Sequence, residues 1–190
     1  AILPEAECNA FFAKLQHVPL NNLTLRYGLG LNGLLVNKDF FVSVPVFKKF
    51  GDTKKLCNFA IISDDESIDW LAGKYTQHGY CTIGERRKGK PVYVCANWVD
   101  AQIAHIATGA EIICAFTPFN MRDILWQYAD LVTKGMVRAV CNRNYNELAE
   151  VEKVDGCQVI LPVGDSIKEC NFKFEKAVYS ATDLLDNWIK

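Results

Sequence analysis

Short apolar runs alternate along the chain with amphipathic stretches that open on a capping residue. The runs cover residues 59–62, 92–96, 112–116, 137–141 and 177–179. Each is followed by a Ser or Asn with a carboxylate three residues later: Ser63 with Glu66, Asn97 with Asp100, Asn120 with Asp123, Asn144 with Glu147, and Ser180 with Asp183. A side-chain oxygen at the first position can accept from exposed helix N–H groups. A carboxylate at the second can bond back to the cap and meets the positive end of the helix dipole. Apolar strand, capped helix, apolar strand is the pattern of an α/β protein. The spacing predicts helices near 64–76, 98–107, 121–134, 145–154 and 181–190, and strands near 57–62, 92–96, 111–116, 137–141 and 157–161. Short extra strands are expected near 80–83 and 172–179. Several of the runs are continuous rather than alternating, as in strands covered on both faces. The expected core is a mostly parallel, doubly wound sheet with helices on both faces.

The first 50 residues read differently. Pro4 suits the first turn of a helix over 4–17, with Cys8, Phe11, Phe12 and Leu15 on one stripe. A glycine-punctuated stretch over 23–33 follows, then apolar segments at 34–36 and 40–47 separated by the turn residues Asn37, Lys38 and Asp39. Pro45 marks the second segment as an edge strand. Residues 20–50 therefore read as an antiparallel ribbon, which would make the sheet mixed. The polar segment 48–55 is the best sub-boundary between an N-terminal helix and ribbon (1–50) and an α/β core (56–190) within one domain of 190 residues.

Composition narrows the function classes. Lys and Arg number 21 against 22 Asp and Glu, for a formal net charge of −1, which argues against nucleic acid and anionic membranes as partners. No apolar stretch approaches the roughly 18 residues of a membrane span. The start at Ala1 suggests a processed end. Among the eight cysteines, Cys95, Cys114 and Cys141 lie inside apolar runs and Cys157 opens another. They read as small buried hydrophobes of a reducing, cytoplasmic protein rather than as disulfide partners. The sequon Asn22-Leu23-Thr24 points the other way.

Candidate chemistry gathers after the apolar runs, where open α/β sheets bind ligands. Asp64, Asp65 and Glu66 form a carboxylate cluster, and Asp165 sits beside Gly164 and Ser166. These carboxylates are the candidate catalytic groups, and three together could hold a divalent cation through oxygen. Asn120, Asn142, Arg143 and Asn144, with Gly164 and Ser166, are candidate contacts to a nucleotide-like or other anionic ligand near helix N-termini. Arg86, Arg87, Lys88 and Lys90 lie between Gly84 and Gly89 or just beyond, and form the strongest anion-contact loop outside that rim. No Cys-x-x-Cys, Gly-x-Ser-x-Gly or His-Glu-x-x-His is present, so no residue is assigned to a metal. Two readings follow. One is a small-molecule-binding α/β domain, carrying out hydrolysis or group transfer if it is catalytic. The other is a non-catalytic protein-interaction module, such as a processed fragment of a larger or viral protein. Apolar residues near the C-terminus, including Trp188, would dock on the body or offer a partner surface.

Overall fold

A computed structural model of the protein describes residues 1–189, with side-chain surroundings given through Asn187. The expectation for Trp188 therefore lies outside the described side chains. The chain divides into two compact units, Ala1–Cys81 and Thr82–Lys190. The division falls at the start of a strand and not in the polar segment 48–55.

The first unit holds α1 (Glu5–Phe12), β1 (Gln16–Val18), α2 (Asn22–Arg26), β2 (Leu34–Val36), β3 (Val42–Phe50), β4 (Thr53–Ile62) and β5 (Ile68–Trp70). Its five strands pair in sequence order as an antiparallel sheet. Phe59 is fully buried in its core and meets Phe11 with ring centroids 4.8 Å apart. The antiparallel ribbon expected for residues 20–50 is thus an entire sheet. Segment 48–55 is its central hairpin: Phe50 faces Thr53 across the two-residue loop Gly51-Asp52, with Gly51 at φ 64°. A tight two-residue loop needs a positive φ, which glycine supplies without strain.

The helix expected over 64–76 is absent, and β5 stands in its place. Local side-chain bonding wins over the helix here. The Asp65 carboxylate accepts from the Ser67 backbone N–H at 3.0 Å and from the Ser63 and Ser67 hydroxyls, and Glu66 takes a left-handed φ of 70°. These bonds close a turn that returns the chain as an antiparallel partner to β4.

The second unit follows the α/β pattern more closely. It contains β6 (Cys81–Ile83, crossing the division), β7 (Val92–Cys95), α3 (Trp98–Thr108), β8 (Ile112–Cys114), α4 (Pro118–Gln127), α5 (Ala129–Thr133), β9 (Val137–Val140), α6 (Tyr145–Glu152), β10 (Gln158–Ile160), β11 (Tyr179–Ser180) and α7 (Ala181–Ile189). The sheet order is β11-β10-β9-β7-β8-β6. Strands β8, β7, β9 and β10 are parallel, and β11 is antiparallel to β10. The molecule is therefore mixed α/β, with one antiparallel and one mixed sheet. Parallel pairing is confined to the second unit, so the expected mostly parallel sheet does not describe the chain.

Three of the five expected caps form. Asn97, Asn144 and Ser180 accept from the backbone N–H of Asp100, Glu147 and Asp183 at 3.1, 2.9 and 3.5 Å. The Asn120 cap does not. Pro118 is pre-set for a first helical position, so α4 starts earlier, with Thr117 Oγ1 accepting from Asn120 N at 3.0 Å. Asn120 is then inside the helix, buried, with Nδ2 donating to the Ala115 carbonyl at 2.9 Å.

Candidate functional site

The carboxyl ends of β7, β9 and β10 carry a connected polar cluster. Asp100 follows the Asn97 cap and is 2% exposed. Its carboxylate does not return to its own helix end. It accepts from Lys168 Nζ at 3.0 Å and from Asn142 Nδ2 at 2.8 Å. Lys168 also reaches Asn97 Oδ1 at 3.3 Å. Asn142 Nδ2 donates to Glu147 Oε2 at 3.0 Å, its backbone N–H donates to Glu147 Oε1 at 3.2 Å, and its Oδ1 accepts from Ile167 N at 2.7 Å. Asn144 Nδ2 completes the set on Glu147 at 2.7 Å. Asn142 thus bridges two buried carboxylates and the 3₁₀ turn Ile167–Glu169.

The neighbouring loop is closed in the same way. Arg143 donates from Nε to the Gly164 carbonyl at 2.9 Å and from Nη2 to Glu175 at 2.6 Å. The Asp165 carbonyl accepts from Arg143 N at 3.2 Å, while its side chain is exposed. Asn142, Arg143, Asn144, Gly164, Asp165 and Ser166 therefore lie near one another, with the side chains of Asn142, Arg143 and Asn144 turned onto neighbouring groups, chiefly Asp100, Glu147 and Glu175.

Burial pushes Glu147 above the usual carboxylate range, against the hydrogen bonds from Asn142 and Asn144 that favour its charge. An acid with a raised folded pKa binds more protons folded than unfolded. Glu147 therefore contributes most stability at low pH and less as pH rises upward from 4.5. Glu147→Gln is expected to remove this component, flattening the fall in unfolding free energy across that window. Urea titrations of both proteins at stepped pH check it, and an unchanged slope would refute it. The adjacent thiols of Cys95 and Cys141 are pushed well up by burial, and Cys157 is raised to about 12. Such thiols are not nucleophiles at neutral pH.

The acidic trio lies elsewhere. Asp64, Asp65 and Glu66 occupy the turn between β4 and β5 in the first unit, not the end of a parallel strand. Asp64 accepts from Asn22 Nδ2 at 3.1 Å and Glu66 from the Tyr27 hydroxyl. The Ser63 and Ser67 hydroxyls hold Asp65 down at about 2. Among the described residues no three His, Cys, Asp or Glu side chains converge as a metal-ligand set.

An open basic pocket lies at the opposite end of the second unit's sheet. A cavity of about 290 Å³ is lined by Arg87, Lys90, Tyr93, Thr108, Gly109 and Arg138 among others, with no carboxylate among the described residues of its wall. Arg138 enters from the amino end of β9, with Nε donating to Gln158 Oε1 at 3.0 Å. Arg87 and Lys90 come from the loop 84–90, and Arg86 beside them is exposed. The C-terminal end of α3 forms one wall. A helix C-terminus ordinarily favours cations. Here its carbonyls are occupied: Gly109 N donates to His105 O at 2.8 Å and Thr108 Oγ1 to Ala104 O at 2.7 Å. Of the loop expected to contact anions, Arg87 and Lys90 line this cavity. Arg138 was missed, although a charge inside the apolar run 137–141 was the available signal. Lys168 was missed because nothing in the sequence joins it to Asp100, 68 residues away.

No protein-family model matches the chain, and no curated protein is significantly similar to it. No helix among the described residues is long and apolar enough to cross a membrane.

Proposed function

We propose that the second unit is a doubly wound α/β binding domain for a small anionic ligand carrying phosphate, seated in the basic pocket rather than on the strand carboxyl ends. The pocket carries the reading: three cationic side chains surround one open cavity. The doubly wound reading rests on β7, which has β8 on one side and β9 on the other, so the chain reverses direction across it. Support for binding at this end comes from the far rim, where Asn142 already satisfies Asp100 and Glu147, and Arg143 is paired with Glu175. The eight cysteines are all free and buried, which supports a reducing, cytoplasmic setting.

Pyrophosphate is the probe for a thermal-shift test. A ligand at a hundred times its dissociation constant stabilises the folded state by about 2.7 kcal/mol, a shift of several degrees. That shift is expected for the native chain and is lost in the exposed double variant Arg87→Ala/Lys90→Ala. Absence of a shift in the native chain, or an equal shift in the variant, overturns the reading.

A second reading, as a protein-interaction module, is supported by α4. Phe119 and Trp126 are 59% and 48% exposed, and the Arg122 guanidinium lies 5.5 and 4.9 Å from their ring centroids. Exposed Trp and Arg are enriched where partners dock. Trp126→Ser should leave the pyrophosphate shift intact, which separates the two surfaces.

A further inference from the structure

The hairpin β3–β4 is longer than its neighbours in the sheet. β2 pairs with β3 at Val42, and β5 pairs with β4 over residues 60–62. The distal rungs, from Lys48 and Lys55 to the Gly51-Asp52 loop, are a two-stranded ribbon. Such ribbons are marginal by themselves. This one also places like charges directly opposite in two successive rungs: Lys48 faces Lys55, and Lys49 faces Lys54. Like charges across a rung destabilise a sheet.

Aromatic rings are interleaved with those charges. Strand alternation puts Lys48, Phe50 and Lys55 on one face. The Lys48 and Lys55 ammonium groups each lie 5.6 Å from the centroid of Phe50, whose side chain is 43% exposed. On the other face Lys54 Nζ sits 4.3 Å from the Phe47 ring and 5.8 Å from that of Tyr80. Asp52 is the one acidic residue between Lys48 and Lys55. An exposed ring flanked by ammonium groups suits a ligand that alternates planar bases with phosphates. An acidic peptide would use the charges but leave the ring without a partner.

We propose that this hairpin is a binding surface for single-stranded nucleic acid, with Phe50 stacking on a base and Lys48 and Lys55 contacting the flanking phosphates. The near-neutral charge of the whole chain argues against a chain-wide nucleic-acid surface but not against a local one. Counterion release depends on the cations at the contact and not on the molecular total. The surface is distinct from the anion pocket of the second unit and does not rest on it.

Fluorescence anisotropy with a labelled oligouridine of about 12 nucleotides tests it, since sites of this kind span roughly 4–16 nucleotides. Binding at low salt is expected, weakening linearly in log–log form as salt rises. Phe50→Ala should lower affinity roughly 5- to 100-fold with the salt slope unchanged, because it removes stacking alone. Lys48→Gln/Lys55→Gln should reduce the slope by about 1.4, near 0.7 per phosphate contact. Lys55→Glu, which turns a repulsive rung into an attractive one, should raise the melting temperature while lowering affinity. That opposition separates a binding role from a structural one. The proposal is overturned if oligouridine does not bind, if a polyglutamate peptide binds as tightly and ignores Phe50→Ala, or if Arg87→Ala/Lys90→Ala abolishes oligouridine binding while the hairpin variants do not.

Discussion

Replacing Asn142 with alanine is expected to lower the unfolding free energy by about 3 kcal/mol. The residue donates to both Asp100 and Glu147 and accepts from Ile167 N, so its loss leaves two carboxylates and one backbone N–H short of a partner. Hydrogen bonds to charged groups are each worth about 1.5–3 kcal/mol, and partial access of water to the site keeps the sum below the arithmetic total. Lys168 retains its hold on Asp100, so the change does not leave that carboxylate wholly unpaired. The measurement is the urea midpoint at constant m-value. Its sign matters as much as its size. Groups kept for ligand binding carry strain or unmet polarity, and replacing them often stabilises a protein. A gain in stability would make the rim a ligand site and move the proposed function there. A loss identifies it as a clasp joining α3, α6 and the turn at Ile167.

Gly84→Val is expected to destabilise by a similar amount, about 2–5 kcal/mol, combining backbone strain with overpacking. Gly84 has φ 78°, a conformation β-branched residues avoid, and a Cβ there would lie 2.3 Å from His105 Cε1 and 2.6 Å from Nδ1. The ring cannot simply swing away, since His105 Nδ1 is 2.7 Å from the Ala110 carbonyl. Gly84 also begins the loop that delivers Arg87 and Lys90, so the same substitution should weaken the pyrophosphate response. A double-mutant cycle with Gly84→Ala and His105→Ala separates the contributions. Removing the ring should recover the steric part of the cost and leave the backbone part. If Gly84→Ala costs the same with and without the ring, the contact is not what requires glycine at this position.

Other surface predictions follow the same logic at smaller scale. The loss of the pyrophosphate shift and the opposed effects of Lys55→Glu each depend on exposed side chains, where substitution leaves the core untouched.

The sequence determined the second unit well, and the reason is local. Asn97 and Asn144 cap helices because their side chains reach N–H groups only three residues away. The apolar runs at 92–96 and 137–141 became β7 and β9 because continuous hydrophobicity requires cover on both faces. The cysteines within them behave as small apolar residues for the same reason. Where the sequence misled, two local rules competed. Ser63 and Glu66 satisfy a capping pattern, yet Asp65 and Ser67 make a turn of the same residues. Long-range pairing of β5 with β4 then decided between them. Segment 48–55 reads as a linker by polarity, but its register across Gly51-Asp52 is set by pairing of the apolar positions further up the ribbon.

The sites were less legible than the fold because their partners are distant in the chain. Lys168 meets Asp100, Asn142 joins Glu147 to Ile167, and Arg138 shares a cavity with Arg87 and Lys90. Residue types and local spacing mark which groups are polar and where helices begin. Only the tertiary structure decides which of those groups neutralise one another and which are left facing open space. That depends on strand order, and a reversal of direction at β7 leaves no periodic trace in the sequence.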